Sequence, residues 1–323
     1  MRRTGEWGGD AVRVISDISA ALSGGAACLP PAAVAVGLFD GVHRGHRALL
    51  DLTRREASRQ GLTAAVLTFD DTPGLKPGAA RICPLDVRLS LLRDAGMDAA
   101  VVLPFPSLRD LSPEAFVREV LTGALAARLA LVGYNFRFGK GAEGDADTLA
   151  ALMRRAGGEA VCLPGVTLPD GSPVSSSRIR EAIAAGDMPL AAELLGRPYS
   201  LTLPTVHGKA LGRTVGLPTV NGAVPKGLLL PGRGVYAGEA IVFGHAYPAV
   251  TNVGTRPTVS GEGVSVETHI IGFSGDLYGT APTVRLFAYL RGERKFASLD
   301  DLKNEITRNI EEAKRIWLER GRA

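Results

Sequence analysis

His43 and His46 stand three residues apart within Gly37-Leu38-Phe39-Asp40-Gly41-Val42-His43-Arg44-Gly45-His46. Ala32 to Gly37 is a short apolar run ending in glycine, and after His46 the pattern turns helical through Leu49, Leu50 and Leu52. The segment therefore reads strand, glycine turn, helix. Gly41 and Gly45 let an anion approach the backbone, and the helix start offers N–H donors. Two imidazoles on one helix face can donate to oxygens that gain charge in a phosphoryl-type transition state. Nucleotidyl transfer is the chemistry this spacing supports. Zinc binding is the competing use of paired histidines, but no cysteine or carboxylate partner stands at ligand spacing.

Other groups carry chemistry further along. In Ser175-Ser176-Ser177-Arg178-Ile179-Arg180, hydroxyls that cap a helix precede two arginines able to grip phosphate oxygens in bidentate fashion. An ordinary N-cap with a solvated basic turn is the other reading. Gly133-Tyr134-Asn135-Phe136-Arg137-Phe138-Gly139 offers aromatics and an arginine for stacking a flat ring, and core packing of Phe136 and Phe138 explains the segment equally well. Gly208, Gly212 and Gly216 recur at four-residue spacing with Lys209 and Arg213 between them, a loop able to embrace phosphate. The Gly-Lys-Ser/Thr ending of a Walker loop is absent. Thr219 and Asn221 alternate along an extended run, so their oxygens could share one side and hold a phosphate-bound magnesium ion; a simple turn is the alternative. Glu267 interrupts an apolar, β-branched run, where a carboxylate either faces solvent or serves a function.

Positioning these groups requires two kinds of scaffold. Strands at 64–69, 99–105, 129–133 and 160–163 alternate with helices at 87–95, 113–129 and 147–156, a doubly wound α/β pattern with a parallel sheet. Short helices at 177–185 and 188–195 flank Gly186-Asp187. From Tyr199 the texture changes to β-branched runs at 238–243, 249–253, 265–271 and 283–289 separated by Gly, Pro and Asn, an all-β domain in the form of a small barrel. An amphipathic helix at 299–317 closes the chain. The expected division is 1–186 and 187–323, in keeping with the 323-residue length.

Composition bounds the remaining possibilities. A 46% hydrophobic, 22% charged chain is ordinary for a globular protein, and 40 Gly with 20 Pro imply many turns. Net charge of +4 is spread along the chain without a Lys/Arg run, so anionic small substrates are expected and nucleic acid is not. No apolar run approaches the roughly 20 residues needed to cross a bilayer, and the charges following Arg2 and Arg3 do not read as a signal peptide. Cys28, Cys83 and Cys162 form no C-x-x-C pair and read as buried free thiols. A cytoplasmic location without a membrane partner is expected.

The GLFDGVHRGH, GYNFRFG, SSSRIR and Gly196-Arg197-Pro198-Tyr199 segments, in this order and spacing, resemble the bacterial bifunctional riboflavin kinase/FMN adenylyltransferase family, also called FAD synthetase. Gly212-Arg213-Thr214-Val215-Gly216-Leu217-Pro218-Thr219-Val220-Asn221 is similar to its kinase signature, and Val266-Glu267-Thr268-His269-Ile270 also matches. The resemblance covers nearly the whole chain. It implies a Rossmann-like nucleotidyltransferase domain followed by a riboflavin-kinase-like barrel with a C-terminal helix. It also implies two magnesium-dependent steps: riboflavin and ATP give FMN, then FMN and ATP give FAD and pyrophosphate.

By position, His43 and His46 would contact ATP phosphates and Asp40 would lie at the nucleotide and metal site, with Gly37 and Phe39 in the same motif. Ser176, Arg178 and Arg180 would clamp the outer phosphates, and Asn135 and Arg137 would lie near the flavin or adenine end. Glu267 would act as general base, with Thr219 and Asn221 at the metal, Gly208 to Gly216 around phosphate and Arg256 near substrate. Leu38 stands where the family commonly has Asn, Thr72 where a His is frequent, Asn135 where Asp is usual, and Asn309 where Asp is usual. The alternatives are a kinase whose first domain transfers poorly and a non-catalytic flavin-binding regulator.

Overall fold

The computed structural model describes residues 12–70, 80–206, 218–258, 261–294 and 296–321. They fall into two compact units, one within Met1–Ala79 and Pro84–Ser175, the other formed by Ala80–Cys83 with Ser176–Ala323.

The first unit is built on a six-stranded parallel sheet of β1 (Arg13–Ile15), β2 (Ala32–Val36), β3 (Thr63–Phe69), β4 (Ala99–Leu103), β5 (Ala127–Gly133) and β6 (Glu159–Leu163), in the order β1-β4-β3-β2-β5-β6. Strands such as Ala-Ala-Val-Ala-Val are continuously apolar because helices cover both faces. Period-2 alternation divides β2 between two cores: Ala32, Val34 and Val36 pack with Phe116 and Leu121, whereas Ala33 and Ala35 pack with Phe39 and Leu50. The covering helices are α1 (Ser19–Leu22), α2 (Arg44–Gln60), α3 (Leu85–Asp94), α4 (Pro113–Ala115, continuing in π-helical form over Phe116–Ala124) and α5 (Ala146–Arg155).

Two details depart from the sequence reading. β1 adds an edge strand that the pattern did not reveal, paired in parallel with β4. The helix expected over 113–129 ends at Ala124; Ala126 turns left-handed (φ 48°), and β5 begins at Ala127. Strand order reverses at β2, whose neighbours are β3 and β5, so the loops leaving β2 and β5 emerge side by side at the carboxyl edge. Open α/β sheets bind ligands in such a crevice.

The second unit begins with α6 (Ser176–Ala185) and α7 (Met188–Leu195). It continues through β7 (Tyr199–Thr202), β8 (Thr205–Val206), β9 (Val220–Gly222), β10 (Gly234–Val242), β11 (His245–Thr258), β12 (Gly261–Ile270), β13 (Thr283–Arg291) and α8 (Leu299–Arg320). The strands form one sheet in the order β7-β13-β10-β11-β12-β9-β8. β7 and β8 are its opposite edges, yet only Leu203 and Pro204 separate them. The edges of a flat sheet of this width would lie roughly 28 Å apart, whereas three Cα steps reach roughly 11 Å. The sheet must therefore curl so that its edges approach each other, as in a partly closed barrel. Phe243 (φ 47°) and Gly244 (φ 82°) make the tight β10–β11 turn. Helix α8 packs on β10 and β11, where the Trp317 indole donates to Glu239 at 2.9 Å.

Candidate functional site

In the first unit the loop from Gly37 to His43 joins β2 to α2. Its path includes two non-glycine residues in the left-handed region, Phe39 (φ 54°) and Val42 (φ 38°), beside Gly41 (φ 78°). Such backbone costs of order 1 kcal/mol per residue and persists only where its surroundings enforce it. The Phe39 ring, fully buried in the α2-side core, supplies part of that enforcement. Gly37 packs closely beneath it, since a Cβ there would lie 3.3 Å from the ring. Asp40 (3% exposed) and His43 (6%) are buried polar groups of this turn.

His43 is the N-cap of α2: its Nδ1 accepts the His46 backbone N–H at 3.2 Å. A neutral His43 must then carry its proton on Nε2, as a donor. The His46 ring stacks on it, centroids 3.6 Å apart and planes 15° from parallel, and meets the Phe39 edge at 5.2 Å. Gly45 keeps this stack clear, because a Cβ there would stand 3.2 Å from His43 Cε1 and 3.3 Å from Nδ1. The expected common face for the two imidazoles is thus present, at a helix N-terminus and at the sheet's switch point.

The loop after β5 resolves an ambiguity. Phe138 is buried with Phe116 in the core and Phe136 packs partly buried against it, so both aromatics are packing residues. Asn135 and Arg137 are exposed, and Arg137 pairs with Asp145 at 3.3 Å. The Thr148 amide, then its hydroxyl, hold the Asp145 carboxyl below its usual value, so this partner stays ionised. Asp70 ends the described part of its segment; the Asp71-Thr72-Pro73 stretch lies outside the described residues.

Ser176, Arg178 and Arg180 lie on α6, in the second unit, where Arg180 Nε donates to the Ala80 carbonyl at 2.8 Å. The β-barrel brings another set together. Register places Glu267 of β12 opposite Asn221 of β9 on one side and Asn252 of β11 on the other. Directly paired residues share a face, so one carboxylate and two amides line up across three strands. Val266, Thr268 and Ile270 are buried on the opposite, apolar face, which sets Glu267 apart from the barrel interior. His269 shares the Glu267 side by alternation and contacts the Pro218 carbonyl at 2.9 Å, just before Thr219.

Asn252 is a member that reading by segment did not single out. Gly254, two residues on, packs closely against the site: a Cβ there would displace the Glu293 carboxylate and stand 3.1 Å from the Asn252 amide. Gly208, Lys209, Gly212, Arg213 and Gly216 lie outside the described residues; Arg256 is placed only as a backbone position in β11.

A further polar cluster joins β13 to α8. Arg291 donates to Asn309 Oδ1 at 3.0 Å and pairs with Glu305 at 3.2 Å, while Arg294 pairs with Glu305 at 2.6 Å and lies 4.7 Å over the Phe296 ring. Asn309, 5% exposed, thus has a structural use as acceptor. Among the described residues no group of three or more His, Cys, Asp or Glu is arranged to hold a metal. Cys28, Cys83 and Cys162 form no disulfide; only Cys83 is buried, Cys28 is half-buried and Cys162 exposed, which corrects the expectation of three buried thiols.

Comparison with known proteins adds an independent line. The FAD synthetase family matches residues 26–178 and the riboflavin kinase family residues 195–317. The chain is 37% identical over 284 residues to the bifunctional riboflavin kinase/FMN adenylyltransferase of Escherichia coli strain K12, covering 85% of this chain and 89% of that protein. It is 38% identical to the protein of the same name from Pseudomonas fluorescens, covering 87% and 91%. For the Bacillus subtilis protein of that name the identity is 33%, covering 88% and 92%. Among solved structures, one described as a macrolide-efflux protein from Streptococcus pneumoniae has a TM-score of 0.82 at 29% identity, covering 93% of this chain and 98% of that one. No helix of the described residues is long and apolar enough to cross a membrane.

Proposed function

This chain belongs to the bifunctional riboflavin kinase/FMN adenylyltransferase family, and from that premise we infer that it makes FAD from riboflavin in two ATP-dependent steps. Both family domains are matched on the one chain, the observation that carries this reading over a kinase alone or a non-catalytic regulator. Residues 1–186 serve adenylylation and 187–323 phosphorylation. A cytoplasmic setting, where ATP is supplied and thiols stay reduced, accords with three cysteines that form no disulfide.

In the kinase step Glu267 takes the proton of the riboflavin 5′-hydroxyl as that oxygen bonds the γ-phosphorus and the bond to ADP breaks. Support comes from its place between Asn221 and Asn252 and away from the apolar interior. Thr219 and Asn221 offer hydroxyl and amide oxygens, the hard donors magnesium takes alongside nucleotide phosphates, so this donor set fits the ion. Bound there, magnesium would neutralise phosphate charge. Gly208, Lys209, Gly212, Arg213 and Gly216 enclose the phosphates, and Arg256 serves the substrate.

In the adenylyl step an FMN phosphate oxygen bonds the α-phosphorus of ATP and pyrophosphate leaves. His43, through Nε2, and His46 donate to oxygens gaining charge, a role supported by their stacking at the α2 N-terminus. Asp40, Gly37, Phe39, Gly41 and Gly45 shape the nucleotide pocket. We assign Ser176, Arg178 and Arg180 to the outer phosphates, and Asn135 and Arg137, both exposed beyond β5, to the flavin or adenine end.

Incubating the purified protein with riboflavin and Mg-ATP is expected to yield FMN and then FAD, separated chromatographically; absence of both at saturating substrate would overturn the reading. Gly45→Ala isolates the histidine geometry. Gly45 is the second residue of α2 and alanine is compatible with a helix, so thermal unfolding recorded alongside separates loss of fold from loss of geometry. The new Cβ crowds His43 at 3.2 Å, so FAD formation should fall about tenfold in kcat, on the scale by which small misplacements matter.

A further inference from the structure

Arg88, in the first turn of α3, is 2% exposed. Burying a guanidinium is costly, and it is retained where its hydrogen bonds hold something in place. Nη1 donates to the Leu38 carbonyl at 2.9 Å and Nη2 to the Phe69 carbonyl at 2.7 Å. Phe69 ends β3; Leu38 opens the loop that leaves β2, the strand paired with β3 through Val36 and Leu67. One planar fork therefore bridges the carboxyl ends of two adjacent strands. Thr68 Oγ1 donates to the same Leu38 oxygen at 3.0 Å, so that carbonyl receives two side-chain donors.

The next residue, Phe39, enters the left-handed region, and the turn that follows ends at His43. A turn of non-glycine residues at positive φ holds its shape only if its ends are fixed. We propose that Arg88 is a positioning residue for adenylyl transfer, fixing the Leu38 carbonyl and through it the turn that carries Asp40, His43 and His46. The inference rests on the reading of this unit as the adenylyltransferase. Lysine, a single-point donor, cannot span both carbonyls.

The test uses the full chain with FMN and Mg-ATP, following pyrophosphate release, and records thermal unfolding alongside. Arg88→Lys is expected to lower kcat about 100-fold, the cost of roughly an ångström of misplacement, while KM for ATP changes little. Thr68→Val, which removes the other donor to Leu38, is expected to lower kcat less. Combined with Arg88→Lys, it should cost less than the product of the two losses, because both act through one oxygen. Wild-type kcat in Arg88→Lys overturns the assignment. So does a loss fully explained by a reduced folded fraction. If Arg88→Lys does not fold, wild-type kcat in Thr68→Val overturns it instead. Unsubstituted protein that forms no FAD would sink the functional reading and this assignment together; active unsubstituted protein with an equally active Arg88→Lys would sink Arg88 alone.

Discussion

Glu267→Gln is expected to lower FMN formation from riboflavin about 1,000-fold in kcat, within the range that a positioned general base contributes. Glutamine keeps the shape and the hydrogen-bonding reach of the side chain between Asn221 and Asn252. It cannot accept the hydroxyl proton. With two buried neighbours, Val266 and Thr268, left in place, the barrel should melt as before. FAD formation from supplied FMN should be untouched, which separates loss of the base from loss of fold. A variant that phosphorylates riboflavin at the normal rate would remove Glu267 from its role.

His43→Asn is the counterpart in the first unit. Asparagine is among the best N-cap residues, so its side-chain oxygen can take over the His46 N–H bond now made by Nδ1 and leave α2 intact. What disappears is the Nε2 donor and the ring on which His46 stacks at 3.6 Å. Losing one preorganised donor to developing charge costs about 100- to 1,000-fold in kcat, read as pyrophosphate release with FMN and Mg-ATP. Riboflavin phosphorylation should stay unchanged. A normal adenylylation rate with a normal melting temperature would show that the imidazole at 43 caps a helix and nothing more.

The histidine pair was legible because the glycine turn after an apolar run marks a helix start, although His43 meets His46 as the N-cap of α2 and not as a residue one helical turn away. The parallel sheet was legible for a similar reason: runs such as Ala32–Val36 are apolar at every position only when both faces are covered. Asn252 was legible only as the first residue of a segment, 252–258, that matches the family's pattern; the β11–β12 register places it against Glu267. Arg88 reads like any charge on an amphipathic helix until its burial and its two carbonyl partners are seen. β1 is three residues, Arg-Val-Ile, too short for periodicity to register.

Leu38 shows the opposite case. A departure from the family's common asparagine looks consequential in sequence, yet the hydrogen bonds from Thr68 and Arg88 go to its backbone oxygen, which any residue supplies. Asn309 likewise replaces an acid without losing acceptor capacity toward Arg291.

The second unit incorporates Ala80–Cys83, a segment drawn from the middle of the first. Within that unit Arg81 pairs with Leu228 as an isolated bridge and donates to the Lys226 and Gly227 carbonyls. The units are thus interleaved along the chain: no single scission yields both with all their parts, since a fragment starting at Ser176 leaves four residues behind.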